Sequence, residues 1–405
     1  MNSSFAEQSR PADSRVVLCR GNCEFTVEDV LAAGWFLGDL ESPWRELLRA
    51  SACEERATEL EVEAEEETLT SMSEDFRYER ELLTVEEIER WLAARDLTED
   101  GFNEYLVRRY WRENPPESLS DNCQKVERAR EETASSPRPS PPEEERERIS
   151  QTRSEVAEPD EAEEGSYLEA SPELRELLRA ELLLSGKFDR LARAVSWRLV
   201  LSDEGQTGTD AELLEAERAR FFERTRLNEA SLSEALKKLG REPEWLEECL
   251  QMEARYRQVC ATLLTDEARA RILTTQRLLL TRVKIEMLTL RSRDAAQEAV
   301  LCLKEKLLSK EELAKECRAS WEPQEFFLGD CEPEVQHEFI SAVPGEVLAP
   351  KPYGEGFVVS RIESKTEPDL TDAQIRARID KRLLMAHFSE LTSKSIRWVM
   401  GESVK

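Results

Sequence analysis

The sequence predicts an α+β chain that is mainly α, and three observations support this. Apolar residues recur at i, i+3 and i+4 through most of the chain, the period of an amphipathic helix. Helix-start signals precede several of those runs, the clearest being Thr84 with Glu87. Turn residues and β-branched runs, by contrast, concentrate in one stretch, Ile340 to Ile362. There Pro344-Gly345, Pro350 with Pro352, and Gly354 with Gly356 punctuate the chain, proline fixing φ and glycine admitting φ > 0. Between them Glu346-Val347-Leu348 and Phe357 to Ile362 read as short strands. Almost everything else reads as helix.

Residues 1–20 read as a flexible leader, and 21–113 as a first helical module. Thr26 is an N-cap candidate with Glu28 and Asp29 in the first turn, where anionic groups offset the helix dipole. Pro43 fits the first turn of the next helix, and Ala57 to Arg80 reads as one long charged helix. Thr84 and Glu87 form a capping box ahead of Ile88, Trp91 and Leu92 on one face. Thr98 caps a further helix with Phe102, Tyr105, Leu106 and Tyr110 at core spacing.

The same arrangement recurs downstream. At one constant offset Arg80, Leu83, Thr84, Ile88 and Leu92 match Arg224, Leu227, Asn228, Leu232 and Leu236. Tyr78, Phe102, Tyr105 and Leu106 match Phe222, Leu246, Cys249 and Leu250. A duplicated helical module gives this agreement of cap with cap and core with core; chance agreement of two amphipathic helix pairs is the alternative. Between the copies, 114–171 is rich in proline and charge and poor in aromatics, so it reads as a disordered acidic insertion. The second module occupies 172–280, with a loop at Gly205 to Thr209. Residues 281–367 hold the mixed segment, and 368–405 a final helix opening at Thr371-Asp372. Its apolar face, Ile375, Ile379, Leu383, Leu384 and Phe388, is expected to pack back on the helical part.

Composition bounds the function. The 405 residues suffice for two or three domains, and 86 acidic against 57 basic residues give a formal charge of −29. That balance argues against nucleic acid and against an anionic membrane surface, both of which need a basic footprint. Solubility is the broad reading of the charge, and a preference for cationic peptides the narrower one. No apolar run approaches the ~20 residues that span a bilayer, and MNSSFAEQSRPADS has no apolar signal region, so a cytoplasmic location without membrane insertion is expected. The nine cysteines form no CxxC pair, and no metal or cofactor is expected. Of the two histidines, His337 sits in a polar turn and is expected to face solvent rather than act in catalysis.

The Ile340–Ile362 stretch resembles the C-terminal half of a parvulin-type (PpiC-like) peptidyl-prolyl isomerase domain. Ile340, Pro344-Gly345-Glu346-Val347, Ala349-Pro350 and Gly356 to Ile362 follow the family pattern of an apolar residue, Pro-Gly-Glu-Val, Gly-Pro and Gly-aromatic-His-Ile-Ile-x-Val. Val358 stands at that histidine, and Tyr353 replaces the usual threonine before the turn. Upstream, Arg282 to Leu290 resembles the family's opening strand, with Met287 at its histidine. Arg293 to Leu308 and Lys310 to Cys317 supply the helices that follow, and Phe326 to Asp330 stands for the Gly-rich segment. With helical modules before it and a helix after it, the whole is similar to SurA-like chaperones and isomerases. The run from Leu82 to Thr98 resembles cytoplasmic relatives that accompany peptide maturation and export.

The resemblance implies a site that twists an Xaa-Pro bond against a barrier of ~18–20 kcal/mol, with no covalent step. Family sites combine an apolar proline pocket with a polar cluster that includes two histidines. With Met287 and Val358 at those positions the domain is degenerate, and no catalytic residue is assigned. Met287, Ile340, Tyr353, Phe357 and Val358 are the candidate peptide-binding residues; packing of the apolar four in the sheet core is the other reading. Three functions follow. One is a chaperone-like binder of an unfolded or precursor polypeptide, in contact with peptide-maturation or transporter components. Another is a working prolyl isomerase. The last is a structural adaptor in a maturation complex.

Overall fold

The computed structural model describes residues 15–115, 167–201, 211–354 and 356–400. The chain is α+β and mainly α, and it divides into two compact units. One runs through Arg257 and takes up the chain again from Leu391; the other is Gln258–Glu390.

The first unit opens with a hairpin, β1 (Val16–Arg20) and β2 (Cys23–Thr26), turned by Gly21 at φ 56°. The expected leader is therefore corrected from residue 16 onward; residues 1–14 lie outside the described residues. Val17, Leu18 and Cys19 are buried, and the two-residue Gly21-Asn22 connection is the hairpin signal in the sequence. A third strand, Ile396–Trp398, pairs antiparallel with β1 (Leu18 opposite Trp398), so the two ends of the described chain share one small sheet.

Helix α1 (Val27–Leu37) starts at Thr26, whose hydroxyl accepts from the Asp29 amide while the Asp29 carboxylate accepts from the Thr26 amide. Helix α2 (Glu41–Glu59) ends at Leu60, with Glu61 in the left-handed region and the Val62 amide donating to Ala57 O. The single helix expected over Ala57–Arg80 is thus corrected: α3 spans only Glu66–Glu79. Glu59 with Glu63, Glu61 with Glu65 and Glu63 with Glu67 would repel at i, i+4 in a continuous helix. Leu60 and Val62 are exposed, so neither adds burial that would favour a continuous helix there. Next come α4 (Val85–Ala93) and α5 (Glu99–Glu113).

Most of the expected insertion, 116–166, lies outside the described residues, as does the expected loop at Gly205 to Thr209. Its C-terminal end is corrected: Tyr167 and Leu168 are buried, and Tyr167 meets Trp44 edge-on with centroids 6.3 Å apart. Burial pushes the Tyr167 phenol up to about 12, with the Glu28 carboxylate adding to the effect. Five helices follow: α6 (Pro172–Leu184), α7 (Lys187–Leu199), α8 (Ala211–Thr225), α9 (Glu229–Lys238) and α10 (Pro243–Leu263).

The two helical stretches share their backbone punctuation. Thr84 with Glu87 and Asn228 with Ser231, at the same offset, both form reciprocal capping boxes. Asp96 and Gly240 both lie in the left-handed region, at φ 53° and 64°. The next amide donates back across the cap in each copy, Leu97 to Leu92 O and Arg241 to Leu236 O. The copies interlock. Leu184 of α6 completes the core of the first, among Phe76, Leu82, Trp91, Phe102 and Tyr105. Phe36 of α1 completes the second, stacked on Phe221 at 5.5 Å and edge-on to Trp245 at 6.4 Å. Matching arginines fasten both: Arg80 donates to Leu184 O, and Arg224 to Phe36 O. Each copy is closed by a helix from the other.

In the second unit, α11 (Asp266–Thr275) precedes β3 (Arg282–Leu290), α12 (Arg293–Lys304), α13 (Lys310–Cys317) and β4 (Trp321–Phe327). A 3-10 turn at Leu328–Asp330 leads to α14 (Pro333–Ser341), β5 (Lys351–Tyr353) and β6 (Gly356–Thr366). The sheet is antiparallel in the order β4-β3-β6-β5. Both edge strands contain a proline, Pro323 and Pro352, tolerated because an edge strand needs only one row of hydrogen bonds. Pro323 also hid β4 from the sequence reading. The strand expected at Glu346-Val347-Leu348 is corrected to a single bridge, Val347 to Arg361. Helix α15 (Ala373–Ser395) packs its first turns within this unit: Ile375 and Ile379 meet Leu280 and Phe327, with Ile272 and Leu273 of α11 beside them. Among the described residues no helix is long and apolar enough to cross a membrane.

Candidate functional site

Residues β3 and β6 form the centre of the second unit's sheet, and their register sets which side chains share a face. Met287 pairs with Ser360 and Thr289 with Val358. Side chains alternate along a strand, so Val283, Ile285 and Met287 lie on one face with Val358 and Ile362. Phe339 of helix α14 and Ala342 just beyond its end cover this face, and Leu328 and Leu348 close it. Phe326 and Phe339 meet edge-on at 5.0 Å. Met287 is 7 % exposed and Val358 8 %.

Of the five candidate residues the structure brings three together. Met287 and Val358 lie in this cluster, and half-buried Ile340 packs against it. Phe357 is corrected: as the neighbour of Val358 it points to the opposite face, against the cluster of Leu288, Val359, Val300 and Leu313 under α12 and α13. Tyr353 is also separated, standing exposed at the β5–β6 turn opposite Gly356. His337 is exposed on α14.

The electrostatics divide in the same way. The Met287 face holds no carboxylate, lysine or histidine in its core; the Cys331 thiol at its margin is pushed up by burial. At that margin the Lys365 ammonium donates to the carbonyls of Ile340 and Ala342, and burial lowers its pKa. On the other face Glu286 accepts from Lys310 at 2.6 Å and Arg361 at 3.0 Å. Burial opposes its ionisation, but these two donors outweigh it and hold the carboxyl below its ordinary value. Arg378 grips Asp330 through both carboxylate oxygens, which lowers that pKa as well. These pairs brace elements and leave no acid or base beside Met287 and Val358. No group of three or more potential metal ligands occurs among the described residues.

One apolar group escaped the sequence reading. At the α3–α4 turn of the first copy Tyr78, Leu83 and Val85 are 69 %, 66 % and 60 % exposed. The turn is closed by hydrogen bonds: Leu82 N–H donates to Arg77 O, and the Arg77 guanidinium donates to Leu82 O and Leu83 O. Glu87 accepts from the amides of Leu83 and Thr84. The available signal was that Leu83 and Val85 fall off the Ile88, Trp91, Leu92 stripe.

No family model matches the chain, and no curated protein does. The chain is similar to solved PrsA structures and to SurA-like chaperones. With the peptidylprolyl isomerase PrsA of Bacillus anthracis it shares 12 % identity over 51 % of this chain and 97 % of that one, at a TM-score of 0.27. With PrsA of Bacillus cereus the figures are 13 %, 53 %, 85 % and 0.32. With a chain from the structural study of two SurA-like chaperones of Campylobacter jejuni they are 9 %, 54 %, 87 % and 0.17. At these scores the similarity says nothing about activity or client.

Proposed function

We propose that the protein is a chaperone-like holder of unfolded or precursor polypeptide, in which the parvulin-like unit serves as a scaffold rather than an isomerase. The observation behind this reading is the burial of Met287 and Val358 among Phe339, Leu348 and Ile362. At the positions where the resemblance puts two histidines there is packed hydrocarbon, and the polar groups beside it on that face are the hydroxyls of Ser360 and Thr289 rather than imidazoles. Stabilising a transition state requires interactions stronger there than in the ground state, and here the two histidine positions themselves contribute none that are polar. Holding a client requires only accessible apolar surface. A client in peptide maturation or export, and a cytoplasmic location, belong to the same proposal and rest on the resemblance of the Leu82 to Thr98 run.

The test joins a protease-coupled isomerisation assay on an Xaa-Pro peptide to suppression of aggregation of a chemically unfolded client. The expected result is no turnover above background with suppression intact. Turnover that Met287→Ala or Val358→Ala abolishes, in a protein that stays folded, would make the protein an isomerase instead.

A further inference from the structure

Within that reading, we propose that the α3–α4 turn of the first helical copy is the gripping surface, and that its occupant is a positively charged polypeptide segment bearing apolar side chains. Tyr78, Leu83 and Val85 are among the most exposed large apolar side chains of the described residues, and they fall in one short, hydrogen-bonded turn. The duplication supplies an internal control. In the second copy the matching Phe222 and Leu227 are half-buried, Phe222 against Phe221 at 5.5 Å, and Val85 is matched by Glu229. The same backbone can therefore shelter these positions, and only the first copy presents them to solvent.

Charge selects the occupant. Glu67, Ser71, Glu74 and Tyr78 follow one another at i+4, i+3 and i+4 on α3, so a single helix face runs from acidic to aromatic. With Glu66 and Thr70, the first three line a shallow depression on that face. At ~1.5 Å per residue the stripe from Glu67 to Tyr78 is ~16 Å long, room for ~5 residues of extended chain. Glu66, Glu67 and Glu74 have no ion pair among the described residues, whereas the two cations at the turn are committed elsewhere, Arg77 to Leu82 O and Leu83 O and Arg80 to Leu184 O. A segment crossing Leu83 and Tyr78 towards Glu67 thus meets apolar contacts first and uncompensated carboxylates next. In a chain of formal charge −29, an acidic segment would be repelled along the whole path.

The experiment uses the full chain and two fluorescein-labelled peptides, one alternating lysine with leucine and one alternating glutamate with leucine. Fluorescence anisotropy should show the lysine peptide binding at least about tenfold more tightly than the glutamate peptide. The combined variant Tyr78→Ser, Leu83→Ser, Val85→Ser should weaken the lysine peptide about tenfold, and Glu66→Gln, Glu67→Gln, Glu74→Gln should weaken it several-fold while removing much of its salt dependence. Unchanged circular dichroism shows that the variants fold, and Leu301→Ser with Leu307→Ser, exposed in the other unit, should leave affinity alone. Equal affinity for both peptides, no binding of the lysine peptide, or wild-type affinity in the apolar variant would overturn this surface. If the chain still suppresses client aggregation in any of those cases, the holding function stands and the grip lies elsewhere. Loss of suppression by the natural chain would remove the holding function itself.

Discussion

In the first helical copy Tyr78, Leu83 and Val85 stand in water; in the second, Phe222 and Leu227 are half-buried and Glu229 replaces the valine. Beneath that difference the two backbones are punctuated alike. Each has a capping box before its short helix, Thr84 with Glu87 and Asn228 with Ser231. Each has a left-handed residue after it, Asp96 and Gly240. Each has an arginine holding the end of a helix lent by the other copy. Caps and helix ends are local hydrogen-bond solutions, so they persist wherever the helix pair persists. Surface side chains answer to no such constraint and can be turned to a partner in one copy alone.

The interlock should have the largest effect on any test of this comparison. Phe36→Ala removes the ring that fills the second copy and should cost about 4 kcal/mol; Leu184→Ala should cost about 3 kcal/mol in the first. In urea titrations followed by circular dichroism both should shift the same transition, because each helix closes the other copy. Two separate transitions, each moved by one variant, would show copies that fold independently.

Glu286 serves as a control outside both copies. Its folded pKa is depressed, so the group contributes stability above its ordinary value, and that contribution is lost as pH falls through the folded value. Glu286→Gln should cost about 2 kcal/mol at neutral pH and progressively less below about pH 4.5. A cost that does not shrink in acid would detach the ion pairs with Lys310 and Arg361 from stability.

The caps should respond equally. Thr84→Ala and Asn228→Ala are each expected to cost about 1 kcal/mol, and a clear inequality would mean that one copy no longer depends on its box. The smallest effect should have opposite signs in the two copies. Gly240→Ala places a Cβ at φ 64° and should destabilise by about 1 kcal/mol, whereas Asp96→Gly relieves a non-glycine residue at φ 53° and should gain about 0.5 kcal/mol.

How legible the molecule was depended on whether the signal was local. Thr26, Thr84 and Thr98 cap the helices their neighbours announced, and the offset linking Thr84 to Asn228 was visible in the letters. Strand β4 was not, because Pro323 reads as a breaker until the strand is known to lie at an edge. The candidate site was half legible. Met287 and Val358 do share a cluster, but adjacent Phe357 had to face the other way, a consequence of strand alternation already available in the sequence.

The sequence by itself determined the helical character and the cap-for-cap match between the two helix pairs, since both follow from residue type and spacing along the chain. Tertiary structure alone decided that Ile396–Trp398 pairs with Val16–Arg20, that Phe36 and Leu184 cross between copies, and that Tyr78, Leu83 and Val85 stay exposed. Those outcomes depend on which distant surfaces meet. Burial is a property of the assembled neighbours, and a periodic apolar residue gives no sign of whether its neighbour will come.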